Sequence, residues 1–331
     1  TKVGSLVPSS SDGHFPGAQP VVYPNDQSDA TKVTPAGVPT VPGYTAHDPE
    51  GHVLTPGSSY QPSDPTKDTT ITYTADQQEG SVSYVDDTTG KTLKTDSISG
   101  TTGSKSSYST SGSIADYKKQ GYELVTDGYP ADLTFDNDDT TDQNFTVHLK
   151  HRLTPVNPTD PQTPGTLINP DEPDGPKWPT RTNYEKTVNE TISYVDQNGH
   201  VVATQHTDSV NFTRTVVVDN VTGEVITSGA GTTAWTATNG DTTFDAVVSP
   251  VVPGSVADKA QTAAVTDLNA DSADVNATVT YTKVGSLVPS SSDGHFPGAR
   301  PVVYPNDPSD ATKVTPAGVP TVPGYTAHDP E

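Results

Sequence analysis

The chain of 331 residues has no cysteine, so neither a disulfide nor a zinc–thiolate centre can staple it. Methionine is also missing, even at position 1, which marks the sequence as a window from a longer protein. Hydrophobic residues make up only 30%, against roughly 45–50% in ordinary globular domains. One large core is therefore excluded, and several small modules are expected. Basic residues are scarce: 18 Lys and Arg stand against 41 Asp and Glu, a net charge of −23. So acidic a surface repels nucleic acid and anionic membranes, and neither is expected as a partner. No apolar run is long enough for a membrane span or a signal peptide.

Proline and glycine are abundant, 31 and 27 residues. With many Thr, Ser and Asp they disfavour long helices and favour strands, turns and extended linkers. Low hydrophobicity with high charge is also the composition of disorder, but recurring patterns of Val, Ile, Thr and Tyr argue for strands. The main organising feature is a repeat. Residues 1–50 recur as 282–331 with two differences, Gln19 against Arg300 and Gln27 against Pro308. The chain thus reads as one long period of a tandem array plus an overhang.

Fainter echoes divide the period. "SVSYVDDTTGKTL" (81–93) resembles "TISYVDQNGHVV" (191–202), each a strand, a turn and a returning strand. "PTVPGYTAHD" (39–48) resembles "PVVPGSVAD" (250–258), with "KKQGYEL" (118–124) a looser third case. The reading is a Pro/Gly-rich β module over 1–78, a second β module over 79–150, a linker over 151–182, a third module over 183–283, and a partial copy of the first over 284–331. The second module carries the one helix pattern, from Ser113 as cap to Gly121 as stop. It closes on a strand with Phe145, Val147 and Leu149 on one face. The hairpin–helix–strand order is that of a β-grasp. In the third module a strand pair turns at Asn220–Gly223, and Trp235 is expected in the core. The linker prolines 155, 158, 161, 164, 170, 173, 176 and 179 share a period of three. That period predicts an extended polyproline spacer of about 75 Å, or a proline edge docked on a neighbour through Trp178.

No HExxH, GxSxG, GxGxxG or phosphate-loop pattern occurs, and the nine histidines are scattered, so an enzyme is not expected. His148 and His151 read as a solvated module edge rather than a metal pair. The run "DNDDTTD" offers Asp136, Asp138 and Asp139 as hard oxygen ligands for calcium. It lacks the EF-hand's central Gly and terminal Glu, and a solvated acidic turn is the competing reading. No other cofactor is called for. Tyr84, Tyr194 and Tyr73 sit in strand patterns and should pack; Tyr44, Tyr122 and Tyr129 beside glycines are either surface residues or packed Gly–Tyr corners.

The "YVD…G" hairpin, the "DYKKQGYELV" step and the closing "FTVHLKH" resemble the mucin-binding (MucBP) module of Gram-positive surface proteins. The third module, with "VNFTRTVVVDNVTGEVITSGAGTTAWTAT" and "VNATVTYTKVG", is similar to the companion domain of the long mucus-binding repeats of lactobacilli. The resemblance covers residues 79–284. It implies a mainly β fold with minor α: small ubiquitin-like β-grasp modules in tandem along an elongated rod. It further implies an extracellular, cell-wall-anchored adhesin, monomeric in solution, whose ligands are mucin glycoproteins and their glycans. Immunoglobulins are known ligands of some members, and calcium is bound by some repeats. No contact residue carries over. Mucin is itself anionic, so a chain of net charge −23 needs hydrogen bonds, stacking and many weak sites in parallel. The alternative functions are a passive stalk projecting a distal tip, and immunoglobulin capture at a strand edge.

Overall fold

The computed structural model describes residues 1–331. It is β-rich throughout, with one α-helix, Ser111–Lys119. The chain divides into two compact units. The first comprises Thr1–Arg152, Leu167–Pro176 and Asp219–Thr222; the second comprises Leu153–Thr166, Lys177–Val218 and Gly223–Glu331.

The first unit holds two main sheets and a small pair of Ala36–Gly37 with Ser59–Tyr60. In the first of them, strand Ser5–Ser9 lies between Val21–Val22, antiparallel, and Thr69–Ala75, parallel; Tyr44–His47 then pairs antiparallel with Thr69–Ala75, and Val53–Leu54 closes the edge. Alternation on Thr69–Ala75 sends Ile71 and Tyr73 into a core with Leu6, Tyr23, Val41 and Tyr44. Phe15 stacks on Tyr73 and meets Tyr44 edge-on, both at 5.1 Å between centroids.

The second sheet follows after one residue. Strand Gln77–Asp86 pairs antiparallel with Lys91–Thr101 and parallel with Gln143–His151, whose other neighbour is Tyr122–Asp127. The helix crosses between the outer strands and covers the core with Ile114. Its N-cap is Thr110, three residues before the expected cap Ser113, and makes no side-chain capping bond. It ends where expected, because Gly121 has φ +100°, a conformation that side chains with a Cβ resist.

In the second unit, strand Glu185–Asp196 pairs antiparallel with Val201–Thr213 and parallel with Val275–Lys283, which pairs with Ser255–Ala257. The main sheets of the three modules therefore share one plan: hairpin partner, first strand, last strand, then an antiparallel strand drawn from between the hairpin and the last strand in sequence. A parallel first and last strand between two antiparallel ones is the β-grasp order. The helix is present only in the second module.

The echoed glycine turns hold one place in that plan. Gly43, Gly121 and Gly254, all with positive φ, each immediately precede the strand that pairs antiparallel with the last one. Each offers its carbonyl to the N–H just after the last strand: Asp76 at 2.8 Å, Arg152 at 2.9 Å and Val284 at 2.9 Å. At Gly121 an added Cβ would lie 2.5 Å from the Asn220 carbonyl oxygen, a backbone atom that cannot swing aside. We expect Gly121→Ala to cost the first unit at least about 2 kcal/mol, from the left-handed φ and the close contact together. Thermal unfolding checks this, and a loss under half that size would refute it.

The linker corrects the sequence reading. Polyproline II has no internal hydrogen bonds, yet residues 153–182 are full of them. Leu153–Val156 is a strand beside Val216–Asp219. Gly165 N–H donates to Trp178, Trp178 N–H to Thr166, and Ile168 N–H to Pro176. The chain reverses at Asn169–Gly175, where Glu172 N–H bonds Asn169 and Gly175 N–H bonds Glu172. Prolines carry no N–H, so their spacing cannot show which of the remaining amides find partners.

The partial copy folds only in part. Ser286–Leu287 pairs with Val302–Val303 as in the first copy, but no strand of this chain stands where Thr69–Ala75 stands in the first copy. Leu6 is fully buried, whereas its counterpart Leu287 is half-buried and neighbouring Val288 is 72% exposed. The copy rests instead on the third module. Ala311 is buried there, its carbonyl accepting from Ala257 N–H at 2.8 Å. Asn306 bonds Gly254, Val252 and Ser255. The equivalent Asn25 and Ala30 are exposed.

Candidate functional site

Five histidines sit beside carboxylates on exposed or half-exposed positions: His14 by Asp12, His52 by Asp48 and Glu50, His148 by Asp87, His200 by Asp196 and His295 by Asp293.

His151 departs from expectation. His148 is half-exposed, as a module edge should be, but His151 is buried between two buried carboxylates. Its Nε2 lies 2.6 Å from Asp86 and its Nδ1 lies 2.7 Å from Asp219. The reason is periodicity: the face of Phe145, Val147 and Leu149 continues at position 151. Burial opposes charge on the ring, but hydrogen bonds and charge from Asp219 and Asp86 outweigh it, and the pKa is raised. Tyr122 packs edge-on against the imidazole. Tyr44 and Tyr122 are packed Gly–Tyr corners, both buried, and Tyr129 is half-buried.

The acidic run at 136–142 is a hydrogen-bonded turn. Asp136 Oδ1 accepts from Asp138 N–H, and Asp138 Oδ1 accepts from the N–H and hydroxyl of Thr140. Asp139 accepts from Gln78 Nε2 at 2.6 Å. The Asp136 and Asp138 oxygens close Asx-type turns. Three ionisable ligands come together in Glu190, His206 and Asp208. Trp235 is half-buried and packs against the core cluster of Val188, Val210 and Phe212, with the Arg214 guanidinium 4.5 Å from its ring centroid and Lys186 at 5.3 Å.

The first unit has a polar concavity of about 270 Å³. Gln120, Tyr122, Asn169, Glu172 and Asp174 are among its lining residues. The helix end and the strand after it bring Gln120 and Tyr122, and the linker reversal brings Asn169, Glu172 and Asp174. Asn169 is buried and anchored through Nδ2 to the Asn220 carbonyl at 2.7 Å. Amide and carboxylate groups around a small hollow can hold hydroxyl-rich ligands by hydrogen bonds. Glu172 and Asp174 disfavour anionic ones. Read as a spacer, this stretch hid its side chains; the signal was "NPDEPDGP", polar residues between prolines that fix a turn.

Two family profiles match the chain. "Mucin binding domain" matches residues 78–151, the second β-grasp module. "Muc B2-like domain" matches residues 179–285, the third. Among solved structures, Mub-RV is 34% identical over 62% of this chain and 98% of its own, with a TM-score of 0.46. The chain belongs to the mucus-binding repeat family. The type 2 repeat of the mucus binding protein MUB from Lactobacillus reuteri is 33% identical, covering 62% of this chain and 99% of that one, TM-score 0.42. The MucBP domain of an adhesion protein from Pediococcus pentosaceus is 37% identical over 29% of this chain and 97% of its own, TM-score 0.25. No curated protein matches the chain. The family consists of repeats of extracellular adhesins and is not an enzyme family. No helix of this mucus-binding repeat is long and apolar enough to cross a membrane.

Proposed function

We propose that these modules are the adhesive part of a surface protein held on the cell wall by other segments, and that they bind host mucus glycoproteins through glycans. The observation carrying this reading is the pair of family matches, over residues 78–151 and 179–285, which cover the second and third β-grasp modules. The concavity around Asn169 and Glu172 favours neutral sugars over sialylated or sulfated ones, because its ionisable rim is acidic. Each site is weak, and attachment grows with the number of copies.

A glycan array with soluble and bead-clustered chain tests this. Clustering is expected to raise mucin retention by about two orders of magnitude or more, with neutral glycans ahead. Glu172→Ala with Asp174→Ala should reduce the clustered signal and let sialylated glycans in. No retention of clustered chain on mucin or glycans would refute the reading and leave a passive stalk. Capture of immunoglobulin alone would reassign the modules to that ligand.

A further inference from the structure

We propose that the third module binds a divalent transition-metal ion of the zinc class through Glu190, His206 and Asp208.

The pattern of the hairpin points there. Strand Glu185–Asp196 turns Val188, Glu190, Ile192 and Tyr194 into the core, all at most 3% exposed. A carboxylate occupies one place in an otherwise apolar stripe. On the partner strand, Glu190 lies directly opposite Asp208 and Ile192 opposite His206. Val210 and Phe212 continue that face into the core. One rung of the sheet is thus ionisable on both strands, and the apolar core is split around it. Val188, Val210 and Phe212 pack with Phe244 and Leu268 on one side; Ile192 and Tyr194 pack with Val279 and Tyr281 on the other.

Glu190 has no adequate protein partner. Its Oε1 is buried without a hydrogen bond, and His206 Nε2 lies 3.9 Å away. A buried carboxylate left so is costly unless a proton or a cation compensates it. Burial holds the Glu190 carboxyl above the ordinary range despite His206. One ligand atom from each of the three residues lies within 4.8 Å of the others. Metal–ligand bonds of about 2.0–2.2 Å need somewhat closer spacing, which rotation of His206 and Asp208 supplies, since neither is buried. The same exposure gives an ion its route in and leaves coordination positions to water. An imidazole with two carboxylates suits zinc-class ions over calcium or magnesium.

The second module provides an internal comparison. Aligning the two "SYVD" strands puts Gly80 at the place of Glu190, Ile98 at that of Asp208 and Asp96 at that of His206. That rung has neither a histidine nor the buried carboxylate, so one ion per chain is expected.

The test uses the full chain without a histidine tag. Isothermal titration with Zn²⁺ should give one site per chain, and Co²⁺ should give a visible absorption band that Zn²⁺ abolishes. Glu190→Gln and His206→Gln should each weaken binding at least 100-fold, and Asp208→Asn about tenfold. Asp138→Asn should change nothing. Without metal, Glu190→Gln should unfold at the same temperature as the parent or higher, since it removes a buried charge. Absence of one-site Zn²⁺ binding overturns the proposal, as does binding that survives Glu190→Gln and His206→Gln together. Ca²⁺ binding indifferent to His206 overturns the choice of metal. A fall in metal-free stability on Glu190→Gln, with no Zn²⁺ effect on the parent, would show that Glu190 serves His206 alone.

Discussion

Replacing His151 by leucine should cost the first unit about 3–5 kcal/mol, the range for removing one partner of a buried ionic group. The imidazole is the charge partner shared by Asp86 and Asp219, at 2.6 and 2.7 Å. Leucine would leave two buried carboxylates facing a methyl group. Urea unfolding followed through the first unit's transition measures the loss. Adding Asp219→Asn should recover part of it, because Asp219 Oδ1 still has Val221 and Thr222 N–H groups to accept from and the amide carries no charge. A loss below about 1 kcal/mol would mean that water or rearrangement compensates the pair.

The same ring makes the unit sensitive to alkali. His151 has a raised pKa in the folded state, against about 6.5 when unfolded. A raised folded pKa gives stability that is complete below the unfolded value and is lost as pH climbs through the folded one. The melting temperature of the first unit should therefore fall on going from about pH 6 upward. The His151→Leu variant should lack this slope. A parent melting temperature that is flat or rising over that interval would contradict the charged imidazole.

The second large effect is a difference between two nearly identical sequences in one molecule. Amides of Tyr44–His47, paired with Thr69–Ala75, should exchange with deuterium at least about a hundredfold more slowly than those of Tyr325–His328, which belong to no strand. The estimate follows from burial. Leu6 and Tyr23 are fully buried, while Leu287 and Tyr304 are not. Full burial of one such side chain is worth about 1.5–3 kcal/mol, and each 1.4 kcal/mol is tenfold. The aromatic pairing survives in both copies: Phe296 meets Tyr325 at 5.2 Å, and Tyr325 donates to Asp293 at 2.8 Å as Tyr44 does to Asp12 at 2.6 Å. The environment differs. Burial first, then the Asp12 bond, push the Tyr44 hydroxyl up to about 12, whereas Tyr325 is raised chiefly by its Asp293 bond. Equal exchange in both copies would mean that the second finds its missing strand elsewhere. The two differing positions, 19/300 and 27/308, are exposed in both copies and cannot explain the contrast.

The parts of the fold that were legible are those whose cause is local. Alternation at Val82 and Tyr84, and at Ile192 and Tyr194, gave the two hairpins, and Gly121 gave the helix stop. The buried His151 was legible in principle, since it sits two residues beyond Leu149, but a polar residue at a strand end reads as solvated until its carboxylate partner is known. Asp219 is 68 residues away. The linker misled for a related reason: a three-residue proline period describes backbone preference, while the N–H groups of Gly165 and Trp178 were free to pair across the reversal.

By itself the sequence determined that this protein is built of small β modules without disulfides and that its family is one of mucus-binding repeats. Those follow from composition, period-two patterning and motifs that need no knowledge of distant contacts. Tertiary structure alone decided which polar groups meet: Asp86, His151 and Asp219 in one place, Glu190, His206 and Asp208 in another. It also decided that one copy of a near-identical 50-residue stretch is packed and the other open. Burial belongs to a residue and its neighbours together, so identical residues with different neighbours have different fates.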